Sequence, residues 1–114
     1  MAVEGGNCFP VAVQTAIECA AAGGGVTVYI AHGVPAGQGP IAGIRHWHAW
    51  VEMEHPDYDF TLAVDRSNGQ SAAMTQVEFY KMAQLDEDTV WRFTLEEALE
   101  RMALLRHYGP WVYG

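Results

Sequence analysis

Residues 8–22 are the segment that most constrains how this chain can fold. They are apolar on nearly every side of a helix, carry a single charge at Glu18, and are followed by three consecutive glycines. A helix without a polar face is buried by packing on more than one side, and a run of glycines ends a helix. Asn7 is a favourable N-cap residue. We therefore expect a central helix that begins at Cys8.

The rest of the chain alternates between strand and helix patterns. Segments rich in β-branched and aromatic residues predict strands at 26–32, 44–54, 60–65 and 89–93. Capping boxes at Thr75–Glu78 and Thr94–Glu97 predict two further helices, which end near residues 85 and 107. This order predicts an α+β fold, with the N-terminal helix on a small antiparallel sheet of at least three strands. The chain of 114 residues suits a single domain, residues 1–114, and its apolar ending at 111–113 is expected to dock on the core.

Composition and charge narrow the class of partner. Half of the residues are apolar and 18% are charged, which is typical of a globular chain. The formal net charge of −8 argues against nucleic acid or an anionic membrane surface as the partner. No apolar run reaches the roughly 18 residues of a membrane span, and the N-terminus lacks a signal-peptide pattern. We expect a cytoplasmic protein.

The two cysteines, Cys8 and Cys19, lie in the same predicted helix. Their spacing places them about 16 Å apart along the helix axis, whereas a disulfide needs Cα atoms within about 7 Å. Their spacing also matches no zinc motif. Two unpaired thiols fit a reducing compartment.

A histidine and an aspartate lie on the two predicted strands of one hairpin. A turn centred between Pro56 and Asp57 places His48 opposite Asp65, with Cβ atoms about 5 Å apart. A carboxylate in this position fixes the tautomer of an imidazole and stabilises the cation that forms on it.

Cys8 is the candidate nucleophile that would act with these two residues. The positive end of a helix and a neighbouring imidazolium both favour the thiolate form of a cysteine. The backbone N–H groups of the first turn, that of Cys8 first, can act as an oxyanion hole. The side chain of Asn7 is a candidate second donor. If Cys8, His48 and Asp65 converge, the chain can carry out acyl transfer through a cysteine.

Two further residues are candidates near this site. Asn68 is an alternative to Asp65 as the group that orients the histidine, although Asn68-Gly69 is also typical of a turn. His46 is predicted on the same strand face as His48, about 7 Å away. It could line the site or bind substrate.

The residues around these positions resemble a known superfamily. Asn7-Cys8-Phe9-Pro10-Val11-Ala12, with His48-Ala49-Trp50-Val51-Glu52 and Val64-Asp65, is similar to papain-like cysteine peptidases and the transglutaminase core. The resemblance covers roughly residues 7–68. The ending at 107–111 is similar to small papain-fold proteins of phages and GC-rich bacteria.

The resemblance implies a papain-like fold and a role for each of three residues. Cys8 would be the nucleophile, His48 the general base and then acid, and Asp65 the orienting group. The implied activity is cysteine-dependent hydrolysis of an amide or peptide, or acyl transfer, without a cofactor. A peptide, a protein or a small amide would be the substrate.

Two alternatives stay open. Papain-like enzymes usually carry an oxyanion-hole glutamine about six residues before the cysteine, and Ala2 occupies that place. The chain could therefore be an inactive binding or structural module in which Cys8 is a buried apolar residue. Alternatively, His46, His48 and Asp65 could bind a metal ion, since a His-x-His pair on a strand can chelate.

We interpret the remaining polar and aromatic residues as structural. Glu52 lies about 13 Å along the strand from His48, and is interpreted as a solvated residue or a neighbour of Arg45 or Arg66. Trp47 and Trp50 are expected to pack, and could cover the imidazole. His32 lies at the end of an element and is assigned no role.

Overall fold

The structure, a computed structural model, describes residues 8–35, 47–67 and 71–111. Within them it forms an α+β fold of three α-helices and five strands, and the α+β class and the three helices agree with the prediction. The elements are α1 (Cys8–Ala22), β1 (Thr27–Gly33), β2 (His48–Glu54), β3 (Thr61–Asp65), β4 (Ala72–Thr75), α2 (Gln76–Met82), β5 (Trp91–Thr94) and α3 (Leu95–Leu105). The strands form one antiparallel sheet in the order β4-β3-β2-β1-β5. None of the described helices combines the length and apolar character needed to cross a membrane.

Helix α1 has the bounds that its sequence predicts. Its buried residues Ala12, Val13 and Ala16 belong to the main core cluster. Gln14, Glu18 and the alanines at 20–22 are exposed, so the prediction of burial on several sides is wrong. Alanine favours the helical state even in water, and the low polarity of this segment therefore reflects small side chains more than burial.

The hairpin of β2 and β3 has a different register from the predicted one. Val64 pairs with Val51, whereas the predicted turn centre places Val64 opposite Ala49. The last pair before the turn is Glu54 with Thr61. The connection therefore contains residues 55–60, one more than the predicted turn at 55–59, and its centre lies between Asp57 and Tyr58.

Strand β4 has no counterpart among the predicted strands. Ala72, Ala73 and Met74 lack the β-branched character of a strand pattern. They form one because they pair with β3, from Leu62 opposite Thr75 to Asp65 opposite Ala72.

Both predicted capping boxes are present. The side chain of Thr75 accepts a hydrogen bond from the backbone of Glu78, and that of Thr94 from the backbone of Glu97, with the reciprocal bonds formed in both cases. The helices end earlier than predicted, at Met82 and Leu105. Each box satisfies two N–H groups that a helix start otherwise leaves without a partner.

Two apolar clusters surround the sheet. The larger combines residues of α1 and α3 with alternate residues of the central strands, and it includes Trp111. Trp111 is 3% exposed, so this residue docks on the core as predicted; residues 112 and 113 lie outside the described part of the chain. The smaller cluster joins Ala31, Trp50, Ala63 and Phe79. The strands that meet the N-terminus of α1 are therefore held on both faces.

Candidate active site

The three residues singled out as a catalytic group lie at the ends of their elements. Cys8 is the first residue of α1, His48 the first of β2 and Asp65 the last of β3. Side chains at the ends of strands and helices need not pack in the centre of the core. The structure brings the side chains of all three together around the imidazole of His48.

His48 and Asp65 form a short hydrogen bond. Nε2 of His48 lies 2.6 Å from Oδ2 of Asp65. The other carboxylate oxygen, Oδ1, accepts hydrogen bonds from the backbone N–H of Ser67 at 3.0 Å and from its hydroxyl at 2.8 Å. Burial alone would raise the pKa of Asp65, but the bond and charge of His48 and the two bonds from Ser67 hold this pKa below its ordinary value. Asp65 is therefore a carboxylate in a fixed orientation.

Cys8 contacts the same imidazole. Burial on its own lowers the pKa of His48, but hydrogen bonds to Asp65 and Cys8 and the charges of both groups raise it to about 9. Because Nε2 is engaged by Asp65, Nδ1 is the nitrogen that can exchange a proton with the thiol. At neutral pH the imidazole beside Cys8 is therefore protonated.

The site is closed to solvent. Cys8 is 1% exposed and His48 8% exposed. A charged pair in such a place is stabilised by its partners more strongly than in water.

A second polar network lies four residues along β2 from His48, at Glu52. This side chain is fully buried, so its interpretation as a solvated residue is wrong. Its carboxylate receives hydrogen bonds from the side chains of Trp50 at 3.0 Å, Gln76 at 2.8 Å and Tyr80 at 2.5 Å, and pairs with Arg92 at 2.7 Å. A buried carboxylate is retained when its oxygens have partners of this kind.

The network also fixes the aromatic neighbour of His48. The indole N–H of Trp50 donates to Glu52, and the Trp50 ring is stacked on His48 with centroids 6.0 Å apart. Trp47 instead contacts Trp91, with centroids 5.9 Å apart. Of the two tryptophans considered as a cover for the imidazole, Trp50 lies beside it.

His32 is buried at the start of the cysteine helix. Its ring contacts Phe9, which follows Cys8, and also Phe93 and Trp111, at centroid distances of 4.8, 5.3 and 4.8 Å. Burial lowers the pKa of His32 to about 3. His32 is thus neutral at physiological pH, and its role here is to pack the first turn of α1 against the sheet. The sequence did not predict this role, because His32 lies at the end of a strand pattern.

Ser67 is the site residue that sequence reasoning missed. It lies two residues after Asp65, and an aspartate whose side chain accepts the N–H two residues on is an Asx turn. The Asp-x-Ser spacing carries that signal, although it is common in loops.

Three other candidate site residues, Asn7, His46 and Asn68, lie outside the described residues. Cys8 and Cys19 are both free, as predicted. Within residues 8–35, 47–67 and 71–111, no three His, Cys, Asp or Glu side chains are arranged to hold a metal ion. The alternative metal site includes His46, and so stays a prediction.

No protein-family model matches this chain, and neither a curated protein nor a solved structure is significantly similar to it.

Proposed function

We propose that this protein is a cysteine-dependent hydrolase of amide or peptide bonds, or an acyl transferase, with a papain-like or transglutaminase-like arrangement of Cys8, His48 and Asp65. The observation that carries the proposal is the contact of one buried imidazole with both a carboxylate and a thiol. The raised pKa of His48 supports it, because a protonated imidazole beside Cys8 stabilises the thiolate that must attack.

The chemistry follows from this arrangement. The Cys8 sulfur attacks the carbonyl carbon of the substrate, and a C–S bond forms. His48 donates the proton on Nδ1 to the leaving nitrogen as the C–N bond breaks, which leaves a thioester on Cys8. Water or an amine then attacks the thioester while His48 accepts its proton, and the thiolate is released. Asp65 holds the imidazole in position and stabilises its cationic form.

The start of α1 supplies part of the electrostatic environment. The first N–H groups of a helix have no acceptor within the helix, and that of Cys8 is adjacent to the attacking sulfur. Such a group can donate to the oxyanion that develops on the substrate carbonyl. The helix dipole acts in the same direction.

A second candidate function is an inactive module that uses the same fold for binding or assembly. The observation that favours it is the burial of Cys8, which is 1% exposed. An inert buried cysteine needs neither the short bond between His48 and Asp65 nor the cationic imidazole. We therefore place the hydrolase or transferase first.

Labelling with electrophilic acyl probes separates the two candidates. A panel of activated esters and acyl amides would be added to wild type, Cys8→Ala and Cys19→Ala, and the adduct located by mass spectrometry. We expect stoichiometric acylation of Cys8 in wild type and Cys19→Ala, and none in Cys8→Ala. Labelling of Cys19 in preference to Cys8 would favour the inactive module.

A further inference from the structure

A cavity of about 440 Å³ lies at the end of the sheet that carries His48. It is lined by Val34, Trp47, Gln84, Asp86, Thr89 and Trp91. Trp47 directly precedes His48 in the chain, and Val34 directly follows Gly33, which pairs with His48 across β1 and β2. Neighbouring Cα atoms are about 3.8 Å apart. On both strands, the chain segment that lines the cavity is therefore one residue from the pair formed by Gly33 and His48.

One wall of the cavity is aromatic and open to solvent. Trp47 and Trp91 have centroids 5.9 Å apart at an interplanar angle of 43°, and are 39% and 36% exposed. Carbon atoms in contact are about 3.5–4.0 Å apart, so no group fits between the two rings. The indoles instead present a joined surface over which a long or flat side chain can lie.

The charged residues at the cavity and on the turn beside it are acidic. Of the six lining residues Asp86 alone is charged, and Glu87 and Asp88 follow it on an exposed turn. Oδ1 of Asp86 caps this turn by accepting the N–H of Asp88. The whole chain has a net charge of −8. An anionic guest is repelled here, while a cation is attracted by both the carboxylate and the indole faces.

We propose that this cavity binds an arginine or lysine side chain of the substrate, close to the amide bond attacked by Cys8. A basic side chain lays its aliphatic or guanidinium surface on tryptophan and directs its charge to a carboxylate. A phenylalanine would use the aromatic wall but not Asp86. The inference rests on the proposed function, since it assigns the substrate of the same site.

A positional scan of short peptide amides tests the proposal. At each position flanking the scissile amide, arginine is compared with citrulline, its neutral analogue of the same shape, and with phenylalanine. Because Asp86 is exposed, we expect kcat/KM to be about five- to tenfold higher for arginine than for citrulline at one position. The preference should be lost in Asp86→Asn, which can still cap the turn. It should persist in Asp88→Asn, a matched control on the same turn that does not line the cavity.

The kinetic outcomes are decisive in either direction. A preference for arginine that Asp86→Asn removes and Asp88→Asn keeps would support the basic-side-chain site. Equal or faster turnover of the citrulline or phenylalanine peptide at every position would overturn it.

A binding readout separates this inference from the hydrolase itself. The arginine peptide would be titrated into Cys8→Ala while the indole N–H signals are followed by NMR, with buried Trp111 as the internal reference. Saturable shifts of Trp47 and Trp91, weaker in Asp86→Asn, support the cavity even if wild type cleaves no peptide. Absence of such shifts overturns the inference, and absence of cleavage with these shifts present would count against the proposed function alone.

Discussion

His48 and Asp65 meet diagonally across two strands, with Nε2 and Oδ2 2.6 Å apart. Because Val51 pairs with Val64, the same register brings Trp50, and not His48, level with Asp65. Side chains on diagonal positions of a sheet are within reach when at least one of them is long. The imidazole of His48 is long enough to reach Asp65 across this diagonal, and the Trp50 ring lies beside it.

Asp65→Asn should lower the pKa of His48 from about 9. The amide keeps the shape of the carboxylate but removes its charge, so the desolvation that lowers this pKa is opposed by fewer groups. NMR titration of the His48 ring signals measures the change. Asp57→Asn, next to partly exposed His55, is the control and should leave the His48 titration unchanged. An unaltered His48 pKa in Asp65→Asn would contradict the assigned pairing.

The unfolding free energy should decrease as the pH rises from about 6.5 to 9. The folded pKa of His48 is raised above its ordinary value, so its contribution is complete below 6.5 and is lost as the pH passes through about 9. A shift of this size corresponds to on the order of 3 kcal/mol. His32, whose pKa is lowered, affects stability below this window. Urea denaturation at several pH values measures the slope, which should be much smaller in His48→Gln.

Glu52→Gln should destabilise the fold by about 3 kcal/mol, because it removes the charge that faces Arg92 in a buried place. The new amide NH₂ would also face a donor, Gln76 or Arg92, where the carboxylate has only acceptors. Glu54→Gln is the matched control: Glu54 also contacts Arg92, at 3.2 Å, but its side chain is 42% exposed. Glu54→Gln should lower the unfolding free energy by less than about 1 kcal/mol. Equal costs in urea denaturation would contradict the role of the Glu52 network.

Thr94→Ala should lower the unfolding free energy by about 1 kcal/mol, because the side chain that caps α3 is lost. Thr94→Ser keeps the capping oxygen and should change stability little. Thermal or urea unfolding of the two variants provides the test, and a serine variant as unstable as the alanine variant would mean that the methyl group, not the cap, matters.

Local signals explain the parts of the structure that the sequence predicts well. The start of α1 at Cys8 and both capping boxes depend on residues within four positions of one another. The α+β class follows from alternating segments of ordinary length. These features need no knowledge of distant contacts.

The features that sequence reasoning missed depend on distant contacts. Glu52 can be buried because its carboxylate pairs with Arg92 of β5 and Tyr80 of α2. No local sequence pattern indicates these partners. The register of the hairpin depends on a connection whose length is set by packing around it. The convergence of Cys8 with His48 could be proposed from their order in the chain, but their contact is a product of the tertiary fold.

The pH dependence of cysteine alkylation tests the central claim, a thiol activated by His48. Wild type and His48→Gln would be treated with limiting iodoacetamide between pH 5 and 9, and modification of Cys8 and Cys19 followed by mass spectrometry. Cys19, which is partly exposed and free, is the internal reference. We expect Cys8 to react faster than Cys19 at pH 6, and this advantage to fall at least tenfold in His48→Gln. A Cys8 that reacts more slowly than Cys19 at every pH, with no effect of His48→Gln, would contradict the account.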